Sequence, residues 1–144
     1  EKILRSKIEG KNKYFFLNLE NIHAKYLLLQ AEIYKTSEFL DKYLVFKTFL
    51  KSTKTNALLI LFGSFAKFKA DKNADIDLMI VSNGKINLPF HLLPYKNHTI
   101  YLTEKSFSKA IREKETLIRE IEENHIILNN HSSYVNGLWE NYGK

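Results

Sequence analysis

Alternation of apolar and polar residues in the middle of the chain predicts a small β-sheet. The apolar run Leu58–Phe62 has the composition of a buried strand and ends at Gly63. In residues 75–81 two acids alternate with apolar residues at the period of a strand, so both acids face the same side. Residues 98–102 and 125–128 are rich in β-branched and apolar side chains and predict two further strands.

Apolar positions spaced by three and four residues predict helices on both sides of these strands. One helical pattern runs from residue 20 to 50. It is expected to break near Lys35, where a hydroxyl residue can cap a second helix that begins at Glu38. A charged helix is predicted over residues 104–123, and a terminal helix over 132–139.

The N-terminal residues predict a β-hairpin. Two strand-like runs, 3–8 and 14–17, flank a polar turn around Gly10. An isolated hairpin is barely stable in water, so it is expected to lean on another surface. We divide the chain into residues 1–36, hairpin plus linker helix, and residues 37–144, the main domain with its C-terminal helix. The basic residues of the hairpin region are Lys2, Arg5, Lys7, Lys11 and Lys13.

The bulk composition is that of a globular protein. A chain of 144 residues, 44% of them hydrophobic, suffices for one ordinary domain or for a small domain with an appendage. No apolar run reaches the length of a membrane span and no signal-peptide pattern opens the chain, so no membrane partner is expected. The absence of cysteine excludes disulfides, thiolate catalysis and cysteine-ligated zinc, and it agrees with a cytoplasmic location.

The charge balance favours polyanionic partners without choosing among them. The formal net charge is +6, which would attract a nucleotide, RNA or DNA. A lysine-rich surface that serves only solubility is an equal alternative.

Asp75 and Asp77 are candidate metal ligands. Two carboxylates on one strand face repel each other, so the pair is costly unless a cation lies between them. Hard oxygen ligands suit Mg²⁺, or Mn²⁺, which takes its remaining ligands from water and phosphate groups. The alternative is a solvated pair on an edge strand, with Ile76 and Leu78 facing the core.

A Gly63-Ser64 turn directly follows the first strand. Glycine permits a sharp reversal, and Ser64 can cap a short helix through Ala66 whose free N–H groups would face an anion. A strand, a Gly-Ser turn and an acid pair on a neighbouring strand together indicate a phosphate-binding site beside a metal site.

This arrangement resembles the nucleotidyltransferases of the DNA polymerase β superfamily, particularly the minimal nucleotidyltransferases of prokaryotes. Their motif is an apolar strand, Gly-Ser-x-Ala-x-Gly, a loop, and Asp-x-Asp in a second strand. The resemblance covers residues 58–82 closely and 37–129 more loosely, and Phe68 replaces the last glycine of the motif. The matching residues are Gly63-Ser64-Phe65-Ala66-Lys67-Phe68 and Asp75-Ile76-Asp77.

The resemblance implies an α+β fold of two layers, in which helices pack on a small mixed sheet preceded by the hairpin and its linking helix. The substrate would be a nucleoside triphosphate, most simply ATP, and the acceptor a hydroxyl of a protein, an RNA or a small molecule. The implied roles are metal binding by Asp75 and Asp77, terminal-phosphate binding by Gly63 and Ser64, and stabilisation of the leaving pyrophosphate by Lys67 or Lys69.

The family's third catalytic carboxylate, on a later strand, has no obvious counterpart. Residues 78–103 contain no Asp or Glu. Ile100 or His98 takes the position on the strand predicted at 98–102, and a histidine can accept a proton but does not bridge two metal ions as a carboxylate does. Glu104, at the start of the next helix, is therefore the candidate that is expected to reach the site as the third catalytic acid.

Three functional hypotheses remain open from the sequence. The first is a metal-dependent nucleotidyltransferase. The second is a nucleic-acid-binding regulator: the hairpin is similar to the wing of a winged-helix domain and would bind DNA, while the transferase domain would sense a nucleotide. The third is a toxin–antitoxin component that uses the fold as a scaffold, as a homodimer or with a partner toxin.

Overall fold

A computed structural model describes residues 2–142. Two strands form an N-terminal hairpin, and four strands and six helices follow it. In chain order the elements are β1 Leu4–Glu9, β2 Asn12–Leu17, α1 Ile22–Lys42, α2 Val45–Lys51, β3 Leu58–Phe62, α3 Gly63–Ala66, β4 Ile76–Val81, a 3₁₀ turn Phe90–Leu92, β5 Asn97–Leu102, α4 Glu104–Arg112, α5 Thr116–Glu123, β6 Ile126–Asn129 and α6 His131–Tyr142.

The four strands form one mixed sheet in the order β5-β4-β3-β6. Strand β3 runs antiparallel to β4 and β6, whereas β4 and β5 are parallel. The predicted fold class, a small mixed sheet with helices packed on it and a hairpin in front, is confirmed.

The central strands are buried because helices or loops cover both faces of the sheet. Alternation along β3 sends Leu59 and Leu61 to one face, where they pack with Phe46 of α2. It sends Ile60 to the opposite face, which α4, α5 and α6 cover with side chains such as Phe107. Burial on both sides explains why these strands read as continuous apolar runs.

The first long helix continues where a break was predicted. Helix α1 runs without interruption from Ile22 to Lys42, so the expected break near Lys35 is wrong. Thr36 lies in mid-helix because its hydroxyl bonds within α1 to the main-chain oxygen of Glu32 (3.1 Å) and across to that of Ile127 (2.6 Å). The helix ends at Lys42 instead, with Tyr43 as its C-cap, and the proposed boundary between residues 36 and 37 falls inside it.

The single helix predicted over 104–123 is two helices. Helix α4 ends at Arg112 and α5 begins at Thr116. Lys114, between them, has a φ of 51°, a left-handed conformation that a helix cannot continue through. Within residues 2–142, no helix combines the length and the apolar character that crossing a membrane requires.

The N-terminal hairpin is present and largely exposed. Every residue of β1 and five of the six in β2 are exposed to solvent. It is tied to the chain that follows by an ion pair between Arg5 and Glu20 and by the Asn18 amide, which donates to the main-chain oxygen of Lys2 (2.8 Å). Because its two strands stay exposed, the hairpin does not lean on another surface within residues 2–142 as the sequence predicts.

Candidate active site

The turn after β3 brings Gly63 against the carboxylate of Asp77. Pairing of β3 with β4 places Phe62 opposite Asp77, so the next residue lies beside the carboxylate. Gly63 has a φ of 72°, which favours glycine. A Cβ atom there would lie 2.2 Å from Oδ2 of Asp77. Both the backbone conformation and the close approach therefore require glycine at this position.

Asp77 carries a negative charge that its surroundings do not fully offset. Burial raises the pKa of the Asp77 carboxyl, the nearby charge of His98 opposes that rise, and the charges of Asp75 and Glu120 add to it. A cation bound at this carboxylate would reverse the balance and favour the ionised form.

His98 pairs with the other acid of the motif. Its Nε2 lies 3.1 Å from Oδ2 of Asp75, which directly precedes β4. Both side chains keep contact with water, with 65% of His98 and 45% of Asp75 exposed. The two acids and this imidazole therefore form one accessible group at the end of the sheet where β4 and β5 begin.

The strand register decides which residue stands beside Asp77. In the parallel pair of β4 and β5, Asp77 lies opposite His98, and Ile100 lies opposite Met79. Ile100 packs against the apolar cluster that contains Met79. The sequence leaves two residues, His98 and Ile100, for the position of the family's third carboxylate. The strand register places His98 there.

Ser64 has a free hydroxyl next to this group. Its side chain is half-buried, and within residues 2–142 its hydroxyl has no hydrogen-bond partner. The main-chain oxygen of Ser64 accepts from the N–H of Lys69 (3.0 Å), and that of Gly63 accepts from Lys67 (3.2 Å). The chain thus folds back over the turn, and both lysines are exposed.

Phe68 shows why the related motif has a glycine at this position. Its φ of 59° lies in the left-handed region, which costs a residue with a side chain about 1 to 2 kcal/mol. The Phe68 ring packs edge-on against Phe39 (centroids 6.0 Å apart), and Lys42 donates to the main-chain oxygen of Phe68 (2.9 Å). These contacts hold the loop in a shape that glycine adopts without strain.

Glu104 is not at this site, and the expectation that it reaches the acids is wrong. Because β4 and β5 are parallel, the residue that follows β5 lies at the far end of the sheet, roughly 15 to 20 Å from Asp77 by strand rise. There the N–H of Glu104 donates to Asn83 (3.1 Å), and its side chain lines a cavity of about 390 Å³.

The acid that does act on Asp77 from a distance is Glu120, which sequence reasoning missed. It lies on α5 and is exposed, and its charge raises the pKa of Asp77. The local sequence around Glu120 gives no sign of this role, because the charges of α5 alternate as they do on any solvated helix face.

The donor set suits a metal ion that is bound together with a substrate. Within the described part of the chain, no three or more acids and histidines are arranged to hold a metal by themselves. Asp75 and Asp77 nevertheless place carboxylate oxygens near each other, and the environment of Asp77 favours an added cation. Two carboxylates fit Mg²⁺ when phosphate oxygens and water complete its coordination.

Comparison with known families agrees with this geometry. A family model described as "Nucleotidyltransferase domain" matches residues 45–129, more than half of the chain. The match includes the Gly63 turn, both acids and His98. Searches of curated proteins and of solved structures found no match. The chain belongs to the nucleotidyltransferase domain family of the polymerase β-like superfamily, and its general role is nucleotidyl transfer.

Proposed function

We propose that the protein transfers a nucleoside monophosphate from a nucleoside triphosphate, most simply ATP, to a hydroxyl group of an acceptor. One observation carries the proposal: Asp77 lies against the Gly63 turn, with Asp75 and His98 beside it, inside the segment that matches the family. A phosphate-binding turn and a carboxylate pair at one sheet end are what such a reaction needs.

The turn binds the triphosphate. The free hydroxyl of Ser64 and the main-chain N–H groups of the α3 turn hold the terminal phosphates. Lys67 and Lys69, exposed and next to the turn, offset charge on the departing pyrophosphate.

Asp75 and Asp77 would hold Mg²⁺ or Mn²⁺. The ion would neutralise phosphate charge and increase the electrophilicity of the α-phosphorus. The two carboxylates orient the substrate through it, which explains a motif whose charges repel each other when no cation is present.

The reaction exchanges one bond for another at the α-phosphorus. The acceptor oxygen bonds to this phosphorus, the bond to the oxygen that bridges to the β-phosphate breaks, and pyrophosphate leaves with the electron pair. The hydroxyl proton goes to His98. Because Asp75 can only accept, Nε2 of the neutral imidazole donates to it, and Nδ1 is left to take the proton.

The test uses nucleoside triphosphates labelled at the α-phosphate, with Mg²⁺ and a cell lysate as the source of acceptors. We expect label to appear on an acceptor and an equal amount of pyrophosphate to be released. Asp77→Asn should lower both at least about a hundredfold, because it removes a charge on which substrate orientation depends.

Asp71→Asn is the matched control, since Asp71 is an exposed acid six residues earlier whose oxygen accepts a turn hydrogen bond that asparagine can also accept. It should leave the transfer rate unchanged. Equal rates in wild type and Asp77→Asn would contradict the proposal. ATP binding without any pyrophosphate release would favour a sensor or scaffold instead.

The exposed hairpin supports a second candidate function, DNA binding. Antiparallel pairing places Arg5 and Lys7 on the same face as Phe16 and Tyr14, a combination of cations and aromatic rings that nucleic-acid-binding surfaces use. A hairpin bound in this way predicts DNA affinity that falls steeply with salt and is lost on Lys7→Glu, measured by fluorescence anisotropy with a labelled duplex.

A further inference from the structure

The two edges of the sheet differ in what covers them. At one edge, α1 lies against β6, and the Thr36 hydroxyl donates to the main-chain oxygen of Ile127 (2.6 Å). At the other edge, β5 pairs with β4 and with no other strand of the described residues. Proteins usually shield such edges because their free N–H and C=O groups can pair with another chain.

Three residues of β5 direct their main-chain groups away from the sheet. The oxygens of Lys96 and Leu102 accept from the β4 side, from Ile76 (2.8 Å) and Ser82 (2.9 Å). Alternate residues of a strand face the same neighbour. The intervening ones, Asn97, Thr99 and Tyr101, therefore face outward. Within residues 2–142 their main-chain N–H and C=O groups have no hydrogen-bond partner.

The charge along this edge favours an acidic partner. No Asp or Glu occurs in residues 78–103. Lys96 directly precedes β5, and Lys85 lines a hollow together with Tyr101 at the other end of the strand. An antiparallel pair of two β5 edges would bring Lys96 of one copy towards Lys85 of the other, so like charges oppose a second copy here.

The same edge leads to the candidate active site. The first residue pairs of β4 and β5 contain Asp77 and His98. A strand added beside β5 would pass about 4.8 Å from His98. A hydroxyl side chain on the sheet face that carries His98 would then point towards the two acids.

We propose that β5 is a docking strand for an extended, acidic segment of a protein acceptor, which adds to the sheet as a fifth strand and presents a side-chain hydroxyl to the site. This inference rests on the proposed function, because the docked segment is the molecule that receives the nucleotide. Main-chain hydrogen bonds supply affinity in such complexes, and the flanking lysines select the charge.

The binding test compares two variants at one position. Tyr101→Pro removes an outward N–H without removing a hydrogen bond to β4, and proline is tolerated on an edge strand at such positions. Tyr101→Ala removes the same side chain and keeps the N–H. The probe is a fluorescein-labelled peptide, Glu-Val-Glu-Thr-Tyr-Thr-Glu-Val-Glu. Its control is the same peptide with methylated main-chain nitrogens.

We expect the peptide to bind wild type and Tyr101→Ala with affinities within a few-fold of each other, and Tyr101→Pro at least about tenfold more weakly, by fluorescence anisotropy. The methylated peptide should bind weakly to all three. Lys96→Gln should weaken binding about two- to fivefold at low salt and less at high salt. Equal binding of the peptide to Tyr101→Pro and Tyr101→Ala would overturn the inference.

Hydrogen exchange on the wild-type protein gives a second readout that needs no variant. Peptide binding should slow exchange of the amides of Asn97, Thr99 and Tyr101, and leave those of His98 and Ile100, which already face β4, unchanged. Protection of all five or of none would contradict docking at this edge. A dimer that Tyr101→Pro converts to monomer would assign the edge to a second copy and overturn the inference as well.

Label transfer separates this inference from the proposed function. Peptide binding with the expected pattern, but no transfer to any acceptor, would support the docking strand and contradict the transferase. Transfer to lysate proteins that is undiminished in Tyr101→Pro would support the transferase and overturn the docking strand.

Discussion

Two carboxylate–imidazole pairs in this protein have the same chemistry and opposite surroundings. In one, Nε2 of His125 lies 2.7 Å from Glu32, and only 6% and 5% of the two side chains are exposed. In the other, Nε2 of His98 lies 3.1 Å from Asp75, with 65% and 45% exposed. Burial decides what each pair can do: water can compete for the second pair and not for the first.

The buried pair joins the long N-terminal helix to the domain. Glu32 belongs to α1, and His125 directly precedes β6. Nδ1 of His125 lies 2.7 Å from the main-chain oxygen of Ile121, so both ring nitrogens face acceptors. Burial alone would raise the pKa of Glu32, but the hydrogen bond and charge of His125 and the charge of Lys35 hold it below its usual range.

The exposed pair contributes much less to the stability of the fold. Ion pairs that water can reach contribute about 0 to 1 kcal/mol to stability. A metal ion at Asp75 or an acceptor at His98 can therefore be accommodated without loss of structure. Solvent access is what makes this pair suitable for chemistry.

The largest effect should come from breaking the buried pair. Glu32→Ala leaves His125 buried without its acid, and removal of one partner of a buried pair typically lowers the free energy of unfolding by about 3 to 5 kcal/mol. Urea denaturation followed by circular dichroism measures it. Glu38→Ala makes the same change at an exposed site on the same helix and should cost less than about 0.5 kcal/mol. Similar losses in both variants would show that the pair does not hold α1.

The contribution of Glu32 should also depend on pH. Since the folded state holds the pKa of Glu32 below its ordinary value of 4.5, its stabilisation is complete above pH 4.5 and is lost as the pH falls through the folded pKa. The gap in unfolding free energy between wild type and Glu32→Gln should therefore shrink as the pH falls below about 5.

Urea denaturation at pH steps between 3 and 8 measures this gap. The other titratable groups that face the pair are Lys35 on α1 and His131 and Tyr134 on α6; all three are retained in the variant. A gap that does not shrink between pH 5 and pH 3 would mean that folding does not lower the pKa of Glu32.

The sheet could be predicted from the sequence because the apolar residues of buried strands form a pattern that is visible in the strand itself. Leu58–Phe62 has the predicted bounds, and β4 and β5 differ from their predictions by one residue at the start. The sequence predicts a break near Lys35 because Thr36 or Ser37 can cap a helix, but the Thr36 hydroxyl bonds to Ile127, 91 residues later. A local pattern contains no information about such a partner.

The same contrast between local patterns and distant partners applies to the candidate site. Gly63, Asp75 and Asp77 lie together, as a contiguous motif on two adjacent strands predicts. Glu104 was misplaced because the sequence does not state that β5 runs parallel to β4, which sends its C-terminal end away from the acids. The charge of Glu120 raises the pKa of Asp77 because of the way α5 packs, and no spacing along the chain predicts that packing.

The effect of Asp77→Asn on stability should be smaller than that of Glu32→Ala and opposite in sign. Burial and the neighbouring acids disfavour the charge of Asp77 when no metal is bound, so a neutral amide should raise the free energy of unfolding in EDTA by a few tenths of a kcal/mol up to about 1. Urea denaturation at pH 7 measures it. With Mg²⁺ and ATP added, wild type should gain stability and Asp77→Asn should not. A loss of stability in EDTA would mean that Asp77 is part of the structural framework.

The smallest effect on stability should come from His98→Gln, which sharpens the contrast with His125. Since Asp75 and His98 both contact water, the unfolding free energy should change by less than about 0.5 kcal/mol. The transfer rate should fall about a hundred- to ten-thousandfold, because Gln cannot accept the hydroxyl proton. His91→Gln is the control, since it changes another imidazole, at the 3₁₀ turn, and should alter neither property. A normal rate in His98→Gln would show that the exposed pair serves only to orient Asp75, and that the proton leaves by another route.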